Sequence, residues 1–409
     1  MRTRSRVAVI VVVAVLMAAA PVSAAWLSSG SVTGGSRATS VSTAATPVAV
    51  AVGRTATLSW TATTLASGAP VTGYRVTRVD TVTSAATPAT GGCSGTVAST
   101  VCAEALLPTG RWAYRIQAVR GAWVGPTGAQ GNTVVVDATP PTVAAVLQKT
   151  SGGATGAIRQ GGTYRIYTNA TDPGDPATGV ATVSANAAAL TTGATAVPLA
   201  SGSFTVGSTT YGYRSAQLTA TNPQAAGPKT FAVTATDTAG NSSGDQTFPV
   251  AVDNTAPAGA DVQILNGGAT PGKAEAGDLV RLTYTEPVDP ESVLVGWSGA
   301  ATTVTVRLTN NGGGDRIQIR DPANDTVPLG TVFLNQTGYV TTTRNFTGST
   351  MTLVGSVVVI VLGAPSGATG TVTTSTTATW TPSSSVTDPA GNASTTSSVN
   401  ESGVADVQF

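Results

Sequence analysis

The chain has 409 residues, 41% of them apolar and 10% charged, with 47 glycines and 23 prolines; this is the composition of short strands and turns, and it excludes wholesale disorder. Its formal charge is +1, and removal of Arg2, Arg4 and Arg6 with an export signal takes 21 basic residues to 18 against 20 acidic ones, which excludes nucleic-acid or anionic-membrane binding built on basic runs. Histidine is absent, so Ser-His-Asp and Cys-His catalysis and the commonest zinc ligand are excluded together.

The N-terminus carries the three arginines, an apolar run from Val7 to Ala20, Pro21, and the small-residue sequence Val22-Ser23-Ala24-Ala25. This is the pattern of a secretory signal peptide over residues 1–25, with cleavage expected after Ala24 or Ala25. The alternative is a retained anchor, but the apolar run falls short of the roughly 20 residues that span a bilayer. Residues 26–46, rich in Ser, Thr, Gly and Ala, read as an extended lead-in. The later apolar run Val357 to Leu362 lies between Gly355 and Gly363 and reads as a buried strand. The terminal ESGVADVQF has no hydrophobic tail, so covalent wall anchoring is not expected, and the expected location is secreted or cell-envelope, extracellular.

Period-two alternation begins at VAVAVGRTATLSW and returns in TGYRVTRV and RWAYRIQAV, separated by the turn-rich LASGAP and LLPTG. Cys93 and Cys102 are the only cysteines, and in an exported chain they are expected to pair as a structural disulfide. Two boundary signals follow alternating strands: Asp137-Ala-Thr-Pro-Pro-Thr and Asp253-Asn-Thr-Ala-Pro. Proline there ends one ladder and fixes the entry to the next. A second repeat, Asp237-Thr-Ala-Gly-Asn241 and Asp388-Pro-Ala-Gly-Asn392, suits a tight turn between late strands. These signals divide the chain into 47–137, 138–253 and 254–409, the last with an insertion expected around Asn310 to Thr347. The expected fold class is all-β, a tandem of β-sandwiches.

The first module resembles a fibronectin type III domain on three features: Trp60 in LSWTA, Tyr74 in TGYRVTRV, and LLPTGRWAYRIQAV as the penultimate strand with its approach turn. Trp112 stands where that family has its corner tyrosine, with Tyr114 two residues on. The second, with ATDPGDPATGVATV and KTFAVTATDTAGNSSG, resembles Ig-like repeats of bacterial extracellular proteins. The third, with GDLVRLTYTEPVDPESV and WTPSSSVTDPAGNAS, is similar to Ig-like modules of bacterial surface-layer and adhesin proteins. Those resemblances imply an all-β tandem of immunoglobulin-like and fibronectin type III β-sandwiches that serve as scaffolds or spacers.

Several residues are candidates for chemistry, each with a structural alternative beside it. The pairs Asp172/Asp175 and Glu286/Asp289 have the proximity of glycosidase carboxylates, but both lie in proline-containing turns. Asp172, Asp175, Asp237 and Asn241 offer hard oxygens to calcium at a module end; Asp and Asn also cap turns through backbone bonds, and that reading is preferred. Gly312-Gly-Gly-Asp315 lacks the Lys of a phosphate cradle and reads as a turn. Trp123, Trp297 and Trp380 offer rings to sugars, with core packing preferred. Lys149, Lys229 and Lys273 are the only lysines available for a Lys–Asp or Lys–Asn isopeptide, and Lys229, just before a strand, is the one considered.

No catalytic residue, metal site or cofactor is assigned. The expectation is a non-catalytic scaffold, spacer or adhesion array with an extracellular partner, polysaccharide among the candidates. The alternative is an accessory carbohydrate-binding component of polysaccharide degradation, and a third is self-association through weakly charged sheet edges. Intact mass of protein from its host should give a mature chain beginning at Ala25 or Trp26, lighter than its reduced form by two hydrogens. An uncleaved membrane-bound chain would make the protein an anchored stalk.

Overall fold

A computed structural model describes residues 39–409; the expected signal peptide and the expected lead-in up to residue 38 lie outside the described residues. Three separate buried clusters fall within residues 41–136, 147–252 and 262–409, one for each module. Among the described residues no helix is long and apolar enough to cross a membrane.

The first module contains, in order, β1 (Val48–Val52), β2 (Thr55–Ser59), β3 (Gly73–Asp80), β4 (Ala86–Pro88), β5 (Val101–Glu104), β6 (Gly110–Arg120), β7 (Trp123–Val124) and β8 (Val134–Val136). β1-β2-β5 form one sheet, and β4-β3-β6-β7, with β8 also on β6, form the other. This is a fibronectin type III-like sandwich. Alternation sets the faces: Tyr74 and Val76 of β3, and Tyr114, Ile116 and Ala118 of β6, enter the core, while Arg75 and Arg115 are exposed. Trp60 meets Tyr74 edge-on at 5.2 Å, and the Tyr74 hydroxyl accepts from the Thr63 amide at 2.8 Å. Trp112 takes over the corner bond of the tyrosine it replaces, its Nε1 donating to the Pro108 carbonyl at 3.0 Å. The packed module begins before Pro47, because Val41 and Ala44 are already in the core and Val41 bridges to Leu65.

Cys93 and Cys102 are bonded, with Cα atoms 5.2 Å apart, and both are buried. The bridge ties a short 3₁₀ turn, Gly91–Cys93, to β5.

The second module contains β9 (Thr142–Lys149), β10 (Ala157–Ile158), β11 (Thr163–Thr171), β12 (Val180–Asn186), β13 (Val197–Val206), β14 (Thr209–Ser215), β15 (Leu218–Thr219), β16 (Gly227–Asp237) and β17 (Gln246–Val252). β9, β14 and β15 pair with β11, and β12-β16-β17 lie opposite, with β10 parallel to β17. β13 pairs with both β12 and β14 and so links the two sheets.

The third module contains β18 (Gly259–Leu265), β19 (Leu279–Tyr284), a short helix α1 (Pro290–Val293), β20 (Thr302–Thr309), β21 (Arg316–Arg320), β22 (Thr331–Phe333), β23 (Arg344–Val354), β24 (Val357–Val361), β25 (Ala364–Pro365), β26 (Thr379–Thr381) and β27 (Val399–Asn400). One strand path, β18-β19-β24-β23-β20-β21-β22-β26-β27, encloses its core. Residues 310–347, expected as an insertion, form β21 and β22 and bury Ile317, Ile319, Val332 and Tyr339. They are strands of the sheet, and the apolar alternation of RIQIR and TVF is what places them there.

Replacing Cys93 and Cys102 with alanine should cost the first module about 2 to 3 kcal/mol, the chain-entropy value for so short a loop. Trp112→Phe, which keeps the ring and removes the corner bond, should cost about 1 kcal/mol. Denaturant titration of each variant checks both values; an unchanged midpoint would deny either contact a role in stability.

Candidate functional site at the module joints

The two repeats seen in the sequence are halves of one device. At the first joint the Asp237 carboxylate accepts from the Asn241 amide at 2.8 Å and from its side-chain Nδ2 at 2.8 Å. The same Nδ2 donates to the backbone carbonyl of Asp137 at 3.1 Å. At the second joint the Asp388 carboxylate accepts from the Asn392 amide at 2.8 Å and its Nδ2 at 2.7 Å, and that Nδ2 reaches the Asp253 carbonyl at 2.9 Å. In each case a late-strand corner of one module grips the linker that enters it. The turns need a glycine, since Gly240 and Gly391 have φ of +90° and +94°.

A carboxylate trio gathers at each joint: Asp137, Asp172 and Asp237 at the first, Asp253, Glu286 and Asp388 at the second, with one oxygen from each lying within 4.8 Å of the others. These hard oxygens are of the type calcium takes. At the first joint all three acids already have protein donors. Asp137 accepts from Thr139 N and from Thr178 N and Oγ1, and Asp172 from Thr178 N and Gly179 N. Burial alone would raise the Asp137 carboxyl, but the bonds from Thr139 and Thr178 outweigh it and hold the group below its ordinary value. At the second joint Glu286 Oε1 is buried without a partner. Desolvation first, then the charges of Asp253 and Asp388, push Glu286 above the ordinary carboxylate range.

The second joint also carries a buried ion pair. Lys149, from the end of β9, places Nζ 2.7 Å from Asp289 Oδ2, with both side chains 2% exposed. Its remaining protons point to the Asp388 carbonyl at 2.8 Å and Thr387 Oγ1 at 3.4 Å. Asp289 also caps α1, accepting from Glu291 N at 3.2 Å. Gly152 is required here: a Cβ on it would sit 2.3 Å from Asp289 Oδ2. Three acceptors, the Asp289 carboxylate, the Asp388 carbonyl and the Thr387 hydroxyl, surround the Lys149 nitrogen.

Of the sequence candidates, Asp172, Asp237 and Asn241 do come together, and Asp175 stays exposed outside the trio. Glu286 and Asp289 are divided between the carboxylate trio and the ion pair. Trp297 and Trp380 are core residues at 5% and 0% exposure, their indoles bonded to the Ala300 and Leu329 carbonyls. Trp123 is 59% exposed. Gly312 to Asp315 form a turn in which buried Asp315 accepts from the Val340 amide. Lys229 is half-buried in β16, and Lys273 lies 3.8 Å from Glu275. Sequence reading passed over Asp137, Asp253 and Asp388 as ligating groups and Lys149 as a joint residue; the recurrence of an Asp-led linker and an Asp-x-x-Gly-Asn corner in both modules was the available signal, although the two are 104 residues apart in one and 139 in the other.

Two outcomes test the joints. Lys149→Ala leaves Asp289 buried without a counter-charge and should cost about 3 to 5 kcal/mol, measured as loss of the cooperative transition of the second and third modules. Glu286→Gln should stabilise the chain near neutral pH and change nothing below the ordinary glutamate pKa. A carboxyl raised by folding contributes stability in acid and loses it as pH rises through the folded value. Asp137 has the opposite sign, its contribution being lost as pH falls through its lowered value. Thermal melts of Glu286→Gln across pH decide the first point; destabilisation at neutral pH would mean that the Glu286 charge is used, as a divalent cation would use it.

No family model matches the chain, and no curated protein matches it. Among solved structures it is similar to the FN1–FN3 domains of chicken CNTN1, at 11% identity over 89% of this chain and 98% of that one, with a TM-score of 0.28. It is also similar to the fibronectin(III)-like modules of Clostridium thermocellum CbhA, at 14% identity over 53% of this chain and 94% of that one, with a TM-score of 0.21. Scores of that size carry no functional argument. The sheets themselves make the chain a tandem of β-sandwiches whose first module is fibronectin type III-like.

Proposed function

We propose that this protein is an exported, non-catalytic spacer that holds its modules in a fixed succession outside the cell. The observation that carries the reading is the repeated grip of an Asn side chain on the linker carbonyl at both joints. A freely hinged array has no use for such a device, since domain motion is the default where contacts are few. The buried Lys149–Asp289 pair adds orientation at the second joint, because its geometry is satisfied in one arrangement only. Export is supported by the Cys93–Cys102 bridge, a bond that persists in oxidising compartments.

Trp123 favours a second reading, contact with a glycan. It is the tryptophan of the three candidates left exposed, and it borders an open groove with Ser40, Thr43 and Pro126. Retention on cellulose, chitin or peptidoglycan that is lost in Trp123→Ala would support that role.

The spacer reading is tested by small-angle scattering of the mature chain beside Asn241→Ala/Asn392→Ala. The parent should scatter as one rigid particle, and the variant should show the broadened distance distribution of a hinged array. Equal flexibility in both would remove the joints from the function.

A further inference from the structure

The near-zero net charge hides a segregation among modules. Residues 47–137 contain six arginines and three acids, and the structure buries two of the three acids. Glu104 is fully buried and paired with Arg78 at 2.8 Å. Asp137 is buried in the joint, and Asp80 is bonded to the amides of Val82 and Thr83 in its own turn. Five arginines remain exposed, and among the described residues none of the five has a carboxylate within ion-pair distance.

Three of them share one surface. Arg75 is opposite Gln117 in the β3–β6 ladder and Arg115 is opposite Thr77, so Arg75, Arg115 and Arg111 all project from the side of the sheet turned away from the core. Arg111 and Arg115 are about 13 Å apart along β6, and Arg75 lies about 7 Å further on, at a rise of about 3.3 Å per residue. A line of guanidinium groups about 20 Å long is too extended for one small anion and fits a polymer with repeated charges. The face carries no aromatic side chain: its other β3 and β6 positions are Gly73, Thr77, Val79, Ala113, Gln117 and Val119, and the neighbouring strands add Ala86, Pro88 and the exposed Val124 and Val135. Single-stranded nucleic acid would have no platform on which to stack, and the two exposed valines lack the aromatic or leucine side chains that anchor a protein in a bilayer.

We propose that this outer face of the first module docks an acidic polysaccharide, with Arg75, Arg111 and Arg115 paired to carboxylates spaced along several of its sugars. The choice of a glycan rests on the export reading; binding itself is measured on purified protein, so its failure would leave the spacer reading standing.

The test uses the full mature chain and four probes: polygalacturonate, neutral dextran, an oligothymidylate and anionic phospholipid vesicles. Polygalacturonate should bind with an affinity that falls as salt rises, and dextran should not bind. Arg75→Gln/Arg111→Gln/Arg115→Gln should weaken binding at least about tenfold with the melting curve retained. The control Lys229→Gln/Arg281→Gln/Arg316→Gln, which removes the same charge elsewhere, should bind as the parent does. A triple Arg→Lys variant keeps charge and solubility and should bind between parent and Gln variant, having lost the bidentate fork. No binding to polygalacturonate, equal loss in the control, or tighter binding to oligothymidylate or vesicles overturns the proposal.

Discussion

The array depends on one hydrogen bond made twice, from the Asn of an Asp-x-x-Gly-Asn corner to the carbonyl of the linker. Linker backbone at a module boundary has left one ladder and not yet joined the next, so its carbonyl would otherwise face water or go unpaired. Asn241 and Asn392 supply the missing donor, and the Asp at the head of each corner fixes the amide's orientation by accepting from it. Because the donor belongs to one module and the acceptor to the preceding strand's exit, satisfying the bond also sets where the strand ends. Backbone satisfaction and module orientation are thus the same constraint.

The two joints differ in how they treat charge. The first collects three carboxylates and meets them with amides and a threonine hydroxyl, so that Asp137 is stabilised as an anion. The second leaves Glu286 short of donors beside two other acids and sets an independent cation, Lys149, against Asp289. A buried pair of that kind adds little net stability over apolar packing, but it penalises every arrangement in which one partner is left alone. The second joint is therefore the more strongly specified of the two in orientation, and the carboxylates of the two joints respond to pH with opposite sign.

The face of each module turned away from its core is free of these duties, and there the first module departs from the others. Glu104 and Asp137 are drawn inward to hold Arg78 and the joint, and its other five arginines are left outside. Charge balance across a whole chain therefore says little about the field at one surface, because burial removes acids and bases unequally.

Composition, alternation and the proline-marked linkers determined by themselves that the protein is a string of β-sandwiches, since period-two patterning is a local property that each strand carries in its own residues. The cysteine pair and the resemblance of the first module were legible for the same reason. The joints were only half legible: both repeats stood in the sequence, but nothing local connects Asn241 to Asp137, 104 positions away, or Lys149 to Asp289. Residues 310–347 appeared as an insertion because, although β21 pairs with its sequence neighbours β20 and β22, the strand that closes the path beyond β22 is β26, far along the chain. Which acids are buried, which tryptophan is exposed and which arginines line up on one face are matters of burial and register, and only the packed tertiary structure decides them.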